Sequence, residues 1–205
     1  MAKQETAQAK ELPSLPRAFT RSDKAFIEAL KKMLDVKPFT EIRVVDLARE
    51  AGFSKGAFYR QHEDKHYFVR DIVRNLAQSH GYYLRIHSDL LMRSFALDSA
   101  EIRNSTKASI DYIYENRQLY SMVIDNKLPG AGFDFFVSTA MEYGFGGWQG
   151  FTSDAFVPYV TISTSLTYVN FWKLNEFVIS PEEMTQLTLD YEGMAYQGLS
   201  TTGSY

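Results

Sequence analysis

The chain has no cysteine among its 205 residues. That excludes a disulfide framework and thiolate chemistry, and it fits a reducing cell interior. No run reaches the eighteen or so uncharged apolar residues of a membrane span, and no signal peptide opens the sequence. The expectation is a cytoplasmic protein with no membrane attachment. Apolar and polar residues do not alternate convincingly as in a half-buried strand, and no internal repeat is present, so the pattern predicts an all-α chain. A Ser-His-Asp arrangement, a phosphate-cradling glycine loop and a nucleotide fingerprint are also missing. Residues 144–150, GFGGWQG, carry four glycines but follow no strand, and they read as a connecting loop. The sequence therefore points to no enzyme, no catalytic residue and no cofactor.

What is present is core-forming material. Hydrophobic residues make up 45% and aromatic residues 15%, enough for one large domain or a small one joined to a larger. The net charge of −3 conceals an asymmetry: residues 1–75 hold 15 Lys/Arg against 11 Asp/Glu, whereas residues 76–205 hold 7 against 14. A module that faces phosphates belongs at the basic end.

That end contains RVVDLAREAGFSKGAFYRQHEDK, residues 43–65. Val44, Leu47, Ala48 and Ala51 share one helical face. Gly52 ends that helix in the left-handed conformation glycine tolerates, and Ser54 caps the next. The second helix, 55 to about 61, holds no acid and presents Lys55, Tyr59, Arg60 and Gln61, while Phe58 points inward. Gly56 and Ala57 are small enough for close backbone approach. Two short helices around a glycine turn form a helix-turn-helix, whose second helix enters the DNA major groove. The run Ala51 to Tyr59 followed by Lys65 resembles the DNA-binding signature of TetR-family transcriptional regulators, over roughly residues 20–75. A looser likeness lies in Trp172, Asn175, Phe177 and Ser180 to Met184. The resemblance implies DNA contacts from Ser54, Lys55, Gly56, Ala57, Tyr59, Arg60 and Lys65. Arg43 takes the place where the family commonly has Ser or Thr and is expected to take over that phosphate contact with DNA, and His62 takes the place of a buried Phe.

In chain order, residues 1–19 read as a flexible arm, 20–66 as the three-helix DNA-binding domain and 67–205 as a helical effector-binding and dimerisation domain. Thr20 with Asp23 caps the first helix, which buries Ala25, Phe26, Ala29, Leu30, Met33 and Leu34. A helix capped by Asp64 runs to about residue 92, with a stripe of Val69, Ile72, Val73, Leu76, His80, Tyr83, His87 and Leu90. Asp98 with Glu101 opens another, ending near Asn116. Shorter helices pass through Leu119, Val123 and Ile124 and over 133–143, and a long one covers 154–176. Ser180-Pro181-Glu182-Glu183 starts the last, with Met184, Leu187, Tyr191, Met194 and Gly198 at heptad-like spacing.

His62-Glu63-Asp64-Lys65-His66 matches the zinc motif H-E-x-x-H, but it straddles a helix end and a cap, so the two imidazoles would not share one helical face. No metal is expected. His80 and His87 read as hydrogen-bonded core or pocket-wall residues, or as effector contacts. Aromatic residues of the C-terminal part build a core, and helical ligand pockets are also lined by such residues. The resemblance implies an effector cavity, for which the candidates are His80, Tyr83, His87, Tyr112, Phe136, Tyr143, Trp148, Tyr168 and Trp172. It also implies a homodimer formed by the last two helices. The expected function is a transcriptional repressor that binds a palindromic operator in double-stranded DNA and is released by a small-molecule effector. The alternatives are an activator, or control by a protein partner.

Overall fold

The computed structural model describes residues 14–94, 99–146 and 153–201. Regular elements among them are all helical: α1 (Arg21–Leu34), α2 (Val44–Glu50), α3 (Lys55–Tyr59), α4 (Lys65–Ser94), α5 (Ala100–Glu115), α6 (Arg117–Ile124), α7 (Phe133–Phe145), α8 (Ser153–Leu174) and α9 (Pro181–Thr201). A 3-10 turn at Phe39–Glu41 precedes α2. The all-α expectation holds for these residues, and none of their helices is long and apolar enough to cross a membrane.

Capping side chains set where several helices begin. The Asp23 amide donates to Thr20 Oγ1 at 3.1 Å and the Thr20 amide to Asp23 Oδ2 at 2.8 Å. Ser180 and Glu183 repeat that reciprocal pair at 3.2 and 3.0 Å. Asp64 accepts from the Tyr67 amide at 2.7 Å, ahead of α4. Each such cap stabilises its helix by about 1 kcal/mol. For α5 the cap is Ser99, whose hydroxyl accepts from the Ile102 amide at 3.2 Å; Asp98 lies outside the described residues.

The N-terminal helices close on aromatic rings. Phe26 of α1 meets Phe58 of α3 and Phe68 of α4 edge-on at 5.4 and 5.9 Å, and all three are fully buried. Gly52, at φ +73°, turns the chain between α2 and α3. The flexible-arm expectation fails for residues 14–19. Arg17 donates to Asp23 at 2.7 Å, its carbonyl accepts from Asn75 at 3.1 Å, and Phe19 is buried. Burial pushes the Asp23 carboxyl up, but Arg17 and Thr20 outweigh it and hold the group below the ordinary carboxylate value. Residues 1–13 lie outside the described residues.

The thirty-residue α4 packs chiefly against α7, then α5. Val69, Ile72, Val73, Leu76 and His80 are buried, as their spacing predicts. The closest approach is at glycines. A Cβ on Gly81 would stand 2.3 Å from the Ala140 carbonyl oxygen, and one on Gly144 would stand 2.4 Å from that of Gly81. Gly144 is thus a buried helical residue of α7 rather than the start of a loop, because glycine here serves close packing instead of chain reversal.

Alanine ordinarily favours an exposed helix over glycine by about 1 kcal/mol. Gly193→Ala in α9 has open space around it and is expected to raise the urea midpoint. Gly81→Ala and Gly144→Ala are expected to lower stability by about 1–3 kcal/mol, because backbone must move. An equal gain at all three positions would remove the close crossing.

Candidate functional site

Two regions of the chain gather the side chains singled out by the sequence. The first is the outer face of α3. Ser54 Oγ accepts from the Ala57 amide at 3.1 Å and starts the helix. Ala57 and Phe58 face the core, while Lys55, Gly56, Tyr59 and Arg60 stand exposed. The Lys55 ammonium lies 5.5 Å from the Tyr59 ring centroid, so the pair forms one cationic, aromatic edge. Gln61 of the turn after α3 hydrogen-bonds Ser22 of α1 at 3.3 Å and ties the two together.

Beside it, Arg43 is exposed but anchored. Its Nε donates to Asp46 Oδ2 at 2.7 Å, and Arg49 donates to Asp46 Oδ1 at 2.6 Å. The Arg43 hydrogen bond is the main reason the Asp46 carboxyl sits below its usual value. Lys65 has a different occupation from the one its exposed position in the motif suggests. Its ammonium donates to the carbonyls of Phe39, Thr40 and Ile42 at 2.8, 3.1 and 2.9 Å and lies over the Phe39 ring. Three donors on three carbonyls use all the hydrogen-bonding capacity of an ammonium. Of the implied contacts, then, Lys65 is committed to the chain and Ala57 is buried.

His62 is buried under α3 between Phe58 and Phe68, and neither ring nitrogen has a partner. Burial lowers its pKa from the ordinary histidine value. His66 is exposed on α4 against Phe39. The H-E-x-x-H match is thus split between a buried and an exposed ring, and no cluster suited to a metal ion occurs among the described residues.

The second region is a cavity of about 420 Å³ between α4, α5, α8 and α9, with Phe145 of α7 at its edge. Of the expected effector residues His87, Tyr168 and Trp172 line it. His80 stands behind the wall. Its Nε2 meets Ser165 Oγ at 2.7 Å and its Nδ1 meets Tyr120 Oη at 2.9 Å. Ser165 donates to the Ile162 carbonyl, so it accepts from His80 Nε2–H, and Nδ1 is left to accept from the Tyr120 hydroxyl. Burial drives the His80 pKa down to about 3, which keeps this ring neutral. His80 therefore braces Ser165, a wall residue, instead of meeting a ligand. Phe136 packs against His80 in the core. Tyr83 and Tyr112 pair with each other at 5.3 Å away from the cavity lining, and Tyr143 donates to the Ser14 carbonyl. Trp148 lies outside the described residues.

Sequence reasoning missed the hydroxyl groups of this lining, including Thr106, Ser109, Thr164 and Thr188, and also Glu192. His87 joins them: its Nδ1 lies 3.0 Å from Ser105 Oγ and its Nε2 3.2 Å from Glu192. The one local signal was the threonine- and serine-rich run TISTSLT over 161–167, polar residues inside a helix that is otherwise apolar. Glu192 carried none, because it reads as an ordinary surface acid of a helix. No protein-family model matches the chain, and no curated protein matches it.

Histidines held neutral by burial make folding sensitive to acid. The unfolded chain binds a proton near the ordinary histidine value of 6.5 and the folded His80 only near pH 3. The stability this histidine protects is therefore intact above pH 6.5 and is lost as pH falls toward 3. Between pH 7 and pH 5 the expected loss is about 2 kcal/mol, read from urea midpoints, and His80→Gln should flatten it. His62→Phe removes two buried nitrogens without partners, and an increase of about 1–3 kcal/mol is expected. A lower midpoint would show that the imidazole is satisfied after all.

Proposed function

We propose that this protein is a TetR-like transcriptional regulator that binds a palindromic operator as a homodimer and is released by a small molecule. The observation that carries the reading is the two-sidedness of α3: Phe58 sits fully buried in the aromatic core while Lys55, Gly56, Tyr59 and Arg60 face outward with no acid among them. In this proposal α2 and α3 form a helix-turn-helix, and α3 enters the major groove. Lys55 and Arg60 donate to guanine O6/N7 or to phosphate, and Tyr59 donates to a phosphate. Arg43 reaches a neighbouring phosphate from the start of α2. Lys65 acts indirectly by holding the 39–42 segment, and with it α2, against the start of α4.

A single five-residue helix reads only a few base pairs, so two copies are needed. Support for the pair comes from apolar side chains left uncovered on α8 and α9. Leu187, Tyr191 and Met194 of α9 are 49%, 49% and 64% exposed, on one face, with Phe171 and Leu174 exposed on α8. Met184, which continues the same spacing, is turned inward to the cavity; a contact surface in this proposal begins at Leu187.

Release follows from linkage. An effector that prefers a conformation with the α3 helices wrongly spaced must weaken DNA binding by the same factor that DNA weakens it, typically about 1–3 kcal/mol. The route is short. α4 carries Leu84, His87 and Leu91 in the cavity wall and Lys65 at its other end, about 33 Å away from His87 at 1.5 Å per residue.

The test is selection of bound duplexes from random DNA with the purified protein, where a palindromic consensus is expected. Tyr59→Ala should weaken binding to that consensus and leave the dimer intact. Gly56→Ala separates contact from folding. Its added Cβ comes only within 3.8 Å of Ser54 Oγ, so thermal stability should hold while affinity falls. Raising salt should weaken the complex steeply, and a flat response would exclude phosphate contacts. No enriched sequence, or enrichment that survives both substitutions at full affinity, would sink the proposal.

A further inference from the structure

The charge on the cavity wall closes on itself. Among the described residues that line it, His87 and Glu192 are paired with each other, and there is no lysine, arginine or second carboxylate. His87 Nδ1 faces two hydroxyls, Ser105 at 3.0 Å and Thr106 at 3.4 Å. Both hydroxyls give their own hydrogen to the Ile102 carbonyl, so Nδ1 is the donor toward them. The other ring nitrogen, Nε2, stands 3.2 Å from each oxygen of Glu192. Bare lone pairs would repel at that distance, so one proton lies between ring and carboxyl group, and the pair is uncharged as a unit. Trp172 adds no face for a cation. It is fully buried, with its ring stacked on Tyr114 at 5.3 Å and its indole N–H on the Ile179 carbonyl.

The hydroxyls of the lining fall into two sets. Thr106, Ser165 and Thr188 donate to the carbonyls of Ile102, Ile162 and Met184 on their own helices. Ser88 of α4, Ser109 of α5 and Thr164 of α8 have no hydrogen-bond partner among the described residues, so their O–H groups are open to the cavity they line. Leu84, Ile110, Ile113, Phe145 and Val169 make much of the remaining wall. These features discriminate between ligand charges. An ion of either sign leaves water here and finds no counter-charge on the described walls, a far larger loss than that of a neutral group. A neutral molecule with an oxygen acceptor gives up hydrogen bonds to water that the open hydroxyls replace. We propose that the cavity takes an uncharged, mostly apolar molecule carrying a carbonyl-type oxygen, which accepts from the hydroxyls of Ser88, Ser109 and Thr164. The volume of about 420 Å³ falls within the range of sites for drug-sized ligands. This inference rests on the reading of the cavity as the effector site and names the chemistry of that effector.

The experiment uses the full chain without DNA and three probes on one flexible skeleton: octan-2-one, octylamine and octanoic acid, the last two ionised at pH 7. Calorimetric titration at that pH is expected to place the ketone at least about tenfold tighter than either ion. Ser88→Ala, Ser109→Ala and Thr164→Val, made together, remove the open donors with little change of volume. They should weaken the ketone by about three- to tenfold and leave the ions where they were. Should that variant fail to fold, the ranking of the three probes on the unaltered protein decides alone. An amine or acid that binds as tightly as the ketone, a ketone affinity untouched by the three substitutions, or no binding of any probe overturns the assignment. Because no DNA is present, such a result leaves the operator selection untouched, and a failed selection leaves the probe ranking standing.

Discussion

At Gly81 and Gly144 the backbones of α4 and α7 touch so closely that a single methyl group on either would collide with a carbonyl of the other helix. The surrounding arrangement follows from that contact. Phe136, Ala140 and Met141 of α7 are pressed into full burial, and His80, one residue before the crossing, is sealed among Phe136, Tyr120 and Ser165. Sealing a polar ring in this way is tolerable only because both its nitrogens are matched by hydroxyls. The same match fixes Ser165, and hence α8, at a set distance from α4. Beyond the crossing α4 carries Leu84, His87 and Leu91, and there α5, α8 and α9 surround a cavity instead of a filled core.

α4 is also where the two ends of the molecule meet. Lys65 fastens its first turn to the carbonyls ahead of α2, and Phe68 belongs to the aromatic cluster under α3. Further ties run beside it. Arg17 reaches Asp71 of α4 at 3.7 Å, Tyr143 of α7 donates to Ser14, and Lys127 lies 3.5 Å from Asp35 at the end of α1. Under the proposed function these are the contacts through which an event at His87 reaches α3. The exposed ion pairs among them contribute little by themselves; the packed helix and the ammonium clamp carry the connection.

The turn between α8 and α9 is unusual in holding two adjacent non-glycine residues, Glu176 and Phe177, at φ +55°. Left-handed backbone costs such residues about 1–2 kcal/mol each. The offset is visible in Trp172, whose carbonyl accepts from the Phe177 amide at 2.9 Å, whose ring packs on Phe177 at 5.6 Å, and whose indole donates to Ile179. Since Trp172 also lines the cavity, cavity wall and turn share one side chain. The helices joined by this turn carry the uncovered apolar residues Phe171, Leu187 and Tyr191.

Much of this architecture was written locally. Thr20, Ser54, Asp64 and Ser180 cap the helices they precede, and the stripe from Val69 to His80 is buried, because caps and helical faces depend on side chains within about four residues of one another. The inward Phe58 and outward Tyr59 are legible for the same reason. Folding decided what polar groups on those faces would meet. Nothing near Lys65 in sequence announces the carbonyls of Phe39 to Ile42, which lie more than twenty residues earlier, and nothing near Glu192 announces His87, 105 residues away. Gly144 looked like a loop residue because a glycine that permits close packing and one that permits a turn are identical until the opposing helix is in place. Helical periodicity determined which side of each helix turns inward. Only the tertiary structure decided which inward groups were packed shut and which were left facing a cavity, since that depends on how far apart the crossing helices are held.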